Sequence, residues 1–195
     1  MQNKKKLRLF LADITHDYIA LASGSFPLGI GYVASALKSV FANEIEVDLF
    51  KYSGNLDQAL KENRPDVYLF SSFMWNQNIN LFYAQKIKES FPDTLIIGGG
   101  PNISNNYQEQ KKFLTDHPFL DLFVLGEGEV PACSIIRNYI DAGKNISRLK
   151  EGELPSALTL LPDGSMKEGV MTPRIGEKRS PKETYTAQWN FLDDS

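Results

Sequence analysis

The residues with the clearest chemical implication are three consecutive glycines and a proline, Gly98, Gly99, Gly100 and Pro101, which follow the apolar run at 95–97. Glycine has no side chain and tolerates positive φ angles, so another group can approach such a backbone closely. A tight turn from a strand into a helix requires one glycine, or two. Three glycines leave room for a bulky group, and we expect these residues to line a binding slot.

A second segment combines glycine with carboxylates, in the order Gly126, Glu127, Gly128, Glu129. Glutamates at the start of a helix complement its dipole and can cap its amide groups. They can equally contact a ligand, and the sequence leaves both roles open. Two carboxylates also suggest a metal ion, but without His or Cys partners nearby the pattern does not specify one. We take Gly126 and Glu127 as candidate ligand contacts.

Small polar and large apolar residues meet in a third segment, in the order Ser71, Ser72, Phe73, Met74 and Trp75. Such side chains can plug the space beneath neighbouring loops or form a partner interface. They can also provide a platform for a flat apolar ligand. We take the first four as candidate site residues.

These candidates lie between short apolar runs, which are found at 7–12, 45–50, 67–71, 94–97 and 122–125. Nearly continuous apolar runs are typical of strands buried on both faces of a parallel sheet. Helical patterns follow the runs, near 27–41, 56–63, 79–91, 105–115 and 131–142. The alternation predicts an α/β fold, a doubly wound five-stranded parallel sheet of order 2-1-3-4-5 that is Rossmann- or flavodoxin-like. Ligands bind such sheets at the carboxyl ends of the strands, where the candidates lie.

The remaining chain is predicted to contain a small β-hairpin, with strands at 157–161 and 166–170 around a Pro-Asp-Gly-Ser turn. From residue 172 the sequence is polar and has no apolar period, as in a linker. We therefore divide the chain into an α/β domain at 1–145, a hairpin extension at 146–171 and a linker at 172–195.

Composition narrows the classes of partner. The chain has 195 residues, 42% of them hydrophobic, a net charge of −3 and one cysteine, Cys133. A polyanion-binding surface needs clustered Lys and Arg, so a nucleic-acid partner is not expected. No segment approaches the ~20 apolar residues of a membrane-spanning helix. One cysteine excludes a disulfide framework within the chain, and we expect a cytoplasmic protein.

A dinucleotide site is a competing interpretation. Gly29, Gly31 and Ala34 fit the pattern G-x-G-x-x-A, and Asp48 ends the second predicted strand. That mechanism requires the glycines in the turn directly after the first strand. Here residues 13–28 intervene and both glycines fall within a helical pattern, where they would allow close packing on the sheet.

Four segments together resemble the N-terminal cobalamin (B12)-binding domain of B12-dependent radical SAM proteins. They are PLGIGYVASALK at 27–38, PDVYLFSSFMW at 65–75, LIIGGGPN at 95–102 and DLFVLGEGEVP at 121–131. The resemblance covers about residues 7–142, and LPDGSMKEG at 161–169 resembles the hairpin that follows this domain. It implies that the dimethylbenzimidazole tail of base-off cobalamin threads between the Ser72 segment and the Gly98 segment.

The sequence departs from the family in two places. Asp13 and His16 are spaced D-x-x-H rather than D-x-H-x-x-G, so we expect no histidine on cobalt, and the lower face of the corrin would meet water or apolar loop residues such as Phe26 and Leu28. The C-x-x-x-C-x-x-C motif is absent. We therefore expect S-adenosylmethionine and the [4Fe-4S] cluster only in a radical SAM barrel, in cis, beyond this chain, and no catalytic or metal-binding residues within it. An interaction domain that has lost the cofactor is an alternative, and its sign would be a binding edge closed by Phe73, Met74 and Trp75.

Overall fold

The computed structural model describes residues 6–16 and 27–173 of the chain. Within these ranges, the elements in chain order are β1 (Leu7–Ala12), α1 (Leu28–Phe41), a 3-10 turn (Ala42–Glu44), β2 (Ile45–Phe50), α2 (Ser53–Glu62), β3 (Val67–Ser71), α3 (Gln77–Ser90), β4 (Leu95–Gly99), α4 (Tyr107–Asp116), β5 (Leu122–Val124), α5 (Glu129–Asp141), α6 (Ile146–Glu151), β6 (Ala157–Leu160) and β7 (Met166–Glu168). None of the helices in this part of the chain has the length and apolarity needed to cross a bilayer.

The strands form one sheet of order β2-β1-β3-β4-β5-β6-β7. The first five are parallel, so the predicted order 2-1-3-4-5 is confirmed. The predicted hairpin is also present, and it continues the same sheet because β6 pairs antiparallel with β5. From β1 the chain first adds β2 on one side and then β3 on the other. The topological switch point, where doubly wound sheets bind ligands, therefore lies between β1 and β3.

Helices cover both faces of the sheet, which explains the continuous apolar runs. Successive β1 residues alternate between two core clusters, with Leu9 and Leu11 in one and Phe10 and Ala12 in the other. The first cluster contains the inward residues of α1, α5 and α6, and the second contains those of α2, α3 and α4. The residues of the central strands are thus buried on one face or the other, as in other parallel sheets, whereas the edge strand β2 exposes Glu46 and Asp48.

Some element bounds differ from the prediction. Strand β4 runs to Gly99, two residues beyond the apolar run, because Gly98 and Gly99 continue the backbone ladder with Phe70 and Ser71 of β3. Backbone hydrogen bonds need no side chain, and both neighbours of β4 hold these glycines in place. The short helix α6 was not predicted, and Asn145 caps its first turn by accepting from the amide of Arg148.

A buried aspartate, Asp121, joins the hairpin extension to the sheet through both its side chain and its main-chain carbonyl. Asp121 is 5% exposed, and its Oδ2 accepts from Nζ of Lys88 at 2.8 Å and from the amide of Ile96 at 2.9 Å. Nζ of Lys150, on α6, lies 3.7 Å from Oδ1. The Thr159 hydroxyl, on β6, donates to the Asp121 carbonyl at 2.7 Å. Burial lowers the pKa of Lys150, and the nearby Asp121 charge opposes that shift.

We expect Asp121→Ala to lower the free energy of unfolding by about 3 kcal/mol, because it leaves two lysine ammonium groups without their partner. Asp93→Ala is the control, since Asp93 pairs with Arg64 and its side chain is 86% exposed. Exposed pairs contribute at most about 1 kcal/mol. Urea denaturation measures both, and equal losses would show that the buried Asp121 carboxylate stabilises the fold no more than an exposed ion pair does.

Candidate functional site

A slot with a volume of about 290 Å³ lies at the carboxyl ends of the strands, between the sheet and the first turns of α1 and α5. Its floor is apolar and comes from the sheet residues Leu11, Leu69, Ile97 and Val124. Its sides are formed by helix residues, namely Gly29, Ile30, Val33 and Ala132. Its rim is formed by residues 98–101 and 126–129 together with Ser71 and Phe73.

Most of the predicted site residues line this slot, namely Ser71, Phe73, Gly98, Gly99, Gly100, Pro101, Gly126 and Glu127. Ser72 is fully buried beside it, with its hydroxyl lacking a partner among the described residues. Leu28 and Met74 are exposed and lie outside the lining. Phe26 lies outside the described residues.

The slot residues not predicted from the sequence belong to the sheet floor and to the two helices. On the helices, Ile30 and Val33 lie on the apolar side of α1, and Ala132 lies on the inward face of α5. The expectation that Gly29 allows close packing on the sheet is wrong, because a Cβ there would meet nothing within 4 Å; its missing side chain leaves space in the slot lining instead. Gly29 and Gly31 lie within α1, as predicted, and not in a turn directly after β1.

The glycine run performs three different tasks. A Cβ on Gly98 would lie 2.7 Å from Cδ2 of Phe123, on the far side of the sheet from the slot. Gly100 has φ +101°, and a Cβ there would lie 2.6 Å from the Ser72 carbonyl oxygen. Gly99 borders the slot, and its Cβ would have only ordinary contacts, the nearest at 3.7 Å from the carbonyl oxygen of Val124. A bulky group can therefore lie against Gly99, while Gly98 and Gly100 permit close packing of the protein itself.

The loops after β3 and β4 are joined by short backbone hydrogen bonds. The Ser72 amide donates to the Gly99 carbonyl at 2.6 Å, and the Asn102 amide donates to the Ser72 carbonyl at 3.2 Å. Nε2 of Gln77 also donates to the Asn102 carbonyl at 3.2 Å. These bonds fix the position of residues 98–102 relative to Ser72.

Two buried asparagines join the β3 loop to the end of β1. Nδ2 of Asn76 donates to Oδ1 of Asp13 at 2.6 Å, and Oδ1 of Asn76 accepts from the Phe73 amide at 2.8 Å. Asn80 donates to the Ser71 carbonyl at 3.0 Å. Burial raises the pKa of Asp13, and the hydrogen bond from Asn76 opposes that shift. Both sides of the switch point are therefore held together by side-chain amides.

An aromatic pair extends from the slot to the surface. The rings of Phe73 and Trp75 stack with centroids 4.7 Å apart and planes 8° apart. Phe73 lines the slot, whereas Trp75 is 56% exposed and Met74 is 83% exposed. Nε2 of His16 donates to the Trp75 carbonyl oxygen at 3.1 Å. The loop offers a flat apolar surface at the carboxyl edge of the sheet, and the histidine beside it is already hydrogen-bonded.

The first turn of α5 gives the slot its acidic side. Glu129 lines the slot, and burial raises its pKa; the charge of Glu127 acts in the same direction, and nearby backbone amides act against it. Burial and Glu129 together raise the pKa of Cys133 to about 11. The cysteine is therefore a thiol at neutral pH, not the thiolate that binds metals. Within residues 6–16 and 27–173, no three His, Cys, Asp or Glu residues are grouped so as to hold a metal ion.

Comparison with curated proteins finds two relatives. The chain is 35% identical over 66 residues to the cobalamin-dependent radical SAM methyltransferase TokK of Streptomyces tokunonensis, covering 34% of this chain and 9% of the relative. It is 30% identical over 86 residues to the 2-(S-pantetheinyl)-carbapenam-3-carboxylate methyltransferase of Streptantibioticus cattleyicolor, covering 44% and 12%. The resemblance to cobalamin-dependent radical SAM proteins is confirmed. No protein-family profile matches the chain.

Solved structures agree with the fold. The cobalamin-dependent S-adenosylmethionine radical enzyme OxsB, with aqua-cobalamin and S-adenosylmethionine bound, superimposes with a TM-score of 0.59 at 15% identity. The match covers 87% of this chain and 23% of OxsB. The apo form of OxsB gives a TM-score of 0.57 at 16% identity, covering 86% of this chain and 22% of OxsB. The chain thus spans about a tenth of the curated relatives and less than a quarter of this structural neighbour.

Alanine substitutions should separate the three glycine roles. We expect Gly98→Ala to lower the free energy of unfolding by about 1–3 kcal/mol through overpacking against Phe123. Gly100→Ala should lower it at least as much, because a positive φ angle adds strain. Gly99→Ala should change it by about 0.5 kcal/mol or less. Urea denaturation measures all three, and a loss at Gly99 equal to the others would assign it a packing role.

Proposed function

We propose that this chain is a cobalamin-binding module, and that it holds base-off cobalamin at the carboxyl edge of the sheet. The observation that carries the proposal is the apolar slot bordered by Gly99, which matches the place where the resemblance puts the nucleotide tail. The sequence similarity to a cobalamin-dependent methyltransferase and the fold shared with OxsB support it.

The slot fits a flat aromatic group in shape and polarity. Its floor consists of branched aliphatic side chains, and its Gly99 wall has no side chain. Small polar residues, Ser71 and Ser72, lie on the β3 side. Such walls favour the burial of an uncharged ring, which contributes roughly 25 cal/mol per Å² of apolar surface. Phe73 and Trp75 would extend this surface toward the corrin.

The module would serve a longer enzyme. We propose that a radical SAM barrel follows in cis and that S-adenosylmethionine and a [4Fe-4S] cluster bind there, in the cytoplasm. Bound cobalamin would supply a cobalt centre for methyl transfer or related radical chemistry. The residues of this chain would bind and orient the cofactor. We further propose the division into an α/β domain at 1–145, a hairpin extension at 146–171 and a linker at 172–195, of which 174–195 lie outside the described residues.

We expect Gly99→Leu to abolish retention of hydroxocobalamin, because the new side chain would extend from the wall into the slot. The purified protein is mixed with hydroxocobalamin and desalted, and bound corrinoid is measured by absorbance. The wild type should stay coloured and the variant colourless, while the melting temperature changes little. A colourless wild type would reject the proposal. A variant that retains cobalamin would show that the nucleotide tail does not lie against Gly99.

A thermal-shift measurement, together with the retention assay, separates the competing functions. NAD, NADP and FAD should give no thermal shift, whereas a ligand at 100 times its Kd that binds only the folded state adds about 2.7 kcal/mol. A shift with any of the three would support the dinucleotide interpretation. An interaction domain that has lost the cofactor would give no shift with any of these ligands and no colour.

We expect His16 not to coordinate cobalt. Nε2 of His16 is hydrogen-bonded to the Trp75 carbonyl, and the connection from β1 to α1 spans residues 13–27, which makes it a poor support for an axial ligand, since ordering costs roughly 1–2 kcal/mol per residue. Electron paramagnetic resonance of the protein loaded with cob(II)alamin should show no imidazole nitrogen splitting, and His16→Ala should give the same spectrum. Splitting that disappears in His16→Ala would identify the histidine as the lower ligand.

A further inference from the structure

A second cavity, which we call the side pocket, lies next to the slot and has a volume of about 400 Å³. Gly100, Pro101 and Gly126 border both cavities, so these residues form a low ridge between them. The remaining walls of the side pocket come from the start of α4 and from the hairpin. A ligand that lies across the carboxyl edge of the sheet can therefore reach both cavities at once.

The side pocket contains a buried amide with a fixed orientation. Only Gln110 and Leu114 are buried among the α4 residues, and Gln110 is 6% exposed. Its Nε2 donates to the Ser104 carbonyl at 2.8 Å, which settles the direction of the amide. Its Oε1 has no hydrogen-bond partner among the described residues and is not sealed from solvent. Because Gln110 lines the cavity and is otherwise buried, we take this oxygen as the acceptor that faces the cavity.

The rest of the lining matches a neutral hydrogen-bond donor. Ile103, Leu125 and Met171 provide apolar contacts, Asn105 and Tyr107 add uncharged polar groups at the start of α4, and the carboxylate of Glu168 stands at the exposed rim. Lys and Arg do not occur among the described residues that line the pocket. A carboxylate or phosphate at this rim would meet the charge of Glu168 without a compensating cation among the described lining residues.

We propose that the side pocket binds a primary carboxamide of the ligand whose tail occupies the slot. The inference rests on the proposed function, since the corrin ring of cobalamin carries primary carboxamides around its rim. The N–H groups of one carboxamide donate to Oε1 of Gln110 and to the Glu168 carboxylate. Gln110 and Glu168 are then specificity residues for the corrinoid periphery, distinct from the slot that holds the tail.

The test compares hydroxocobalamin with its derivatives in which a single peripheral carboxamide is hydrolysed to a carboxylate. Dissociation constants are measured by equilibrium dialysis for the wild type, Gln110→Met and Glu168→Gln. Glu153→Gln serves as a matched control, because Glu153 is exposed and lies outside both cavities. Melting temperatures of the unloaded proteins report whether each variant folds.

We expect the wild type to bind one carboxylate isomer at least about tenfold more weakly than hydroxocobalamin. Glu168→Gln should reduce that ratio to about threefold or less, and Glu153→Gln should leave it unchanged. Gln110→Met should weaken hydroxocobalamin binding about 3- to 10-fold, the effect of one lost hydrogen bond.

The other possible outcomes reject either the carboxamide site alone or the proposed function as well. If the wild type binds hydroxocobalamin but accepts every carboxylate isomer equally, or if Glu168→Gln leaves the ratio unchanged, the side pocket is not a carboxamide site and the proposed function stands. If the wild type binds no hydroxocobalamin, both proposals fail. If Gln110→Met does not fold, the ratio in Glu168→Gln decides alone, because that side chain is exposed.

Discussion

The close approach of the β3 and β4 ends is the constraint on which the candidate site depends. The Ser72 amide reaches the Gly99 carbonyl at 2.6 Å, so the two loops leave the sheet almost in contact. A side chain at Gly100 cannot fit there, and the positive φ of that residue turns the chain away from the sheet. Gly99 is left with its α-carbon facing the slot. Backbone packing thus creates a smooth wall, which a ligand can then use.

The polar groups beneath these loops are satisfied by the protein itself. Asn76 and Asn80 are almost fully buried, and unbonded amides in such a place would cost several kcal/mol. Asn76 bonds Asp13 after β1 and Phe73 after β3, and Asn80 accepts from the Ile14 amide and donates to the Ser71 carbonyl, so both span the switch point. A doubly wound sheet separates its loops at this place, and the asparagines hold them at a fixed distance. The edge is therefore shaped before any ligand arrives, which reduces the entropy lost on binding.

The sequence predicts the sheet well because its strands are buried on both faces, and continuous apolar runs are a local signal. It predicts β4 too short, since the ladder bonds of Gly98 and Gly99 come from neighbouring strands that are distant in sequence. For the same reason, the sequence identifies the glycine run as a place of close approach, but it does not show that the three glycines have different roles. The need for glycine at 98 comes from the ring of Phe123, across the sheet. Gln110 was missed because a polar residue at an inward helix position looks solvent-exposed in sequence.

The charged residues at the carboxyl edge of the sheet limit which cofactor the slot can hold. A dinucleotide places its diphosphate at a helix N-terminus, where free amides and the helix dipole stabilise negative charge. In this chain Glu127, just before α5, and Glu129, in its first turn, both line the slot, and α1 contributes no basic residue to the lining. Carboxylates there repel a diphosphate and instead accept hydrogen bonds from hydroxyl or amide groups. The carboxylates of the slot therefore favour a ligand whose buried parts are uncharged, and any phosphate of such a ligand would lie outside the slot.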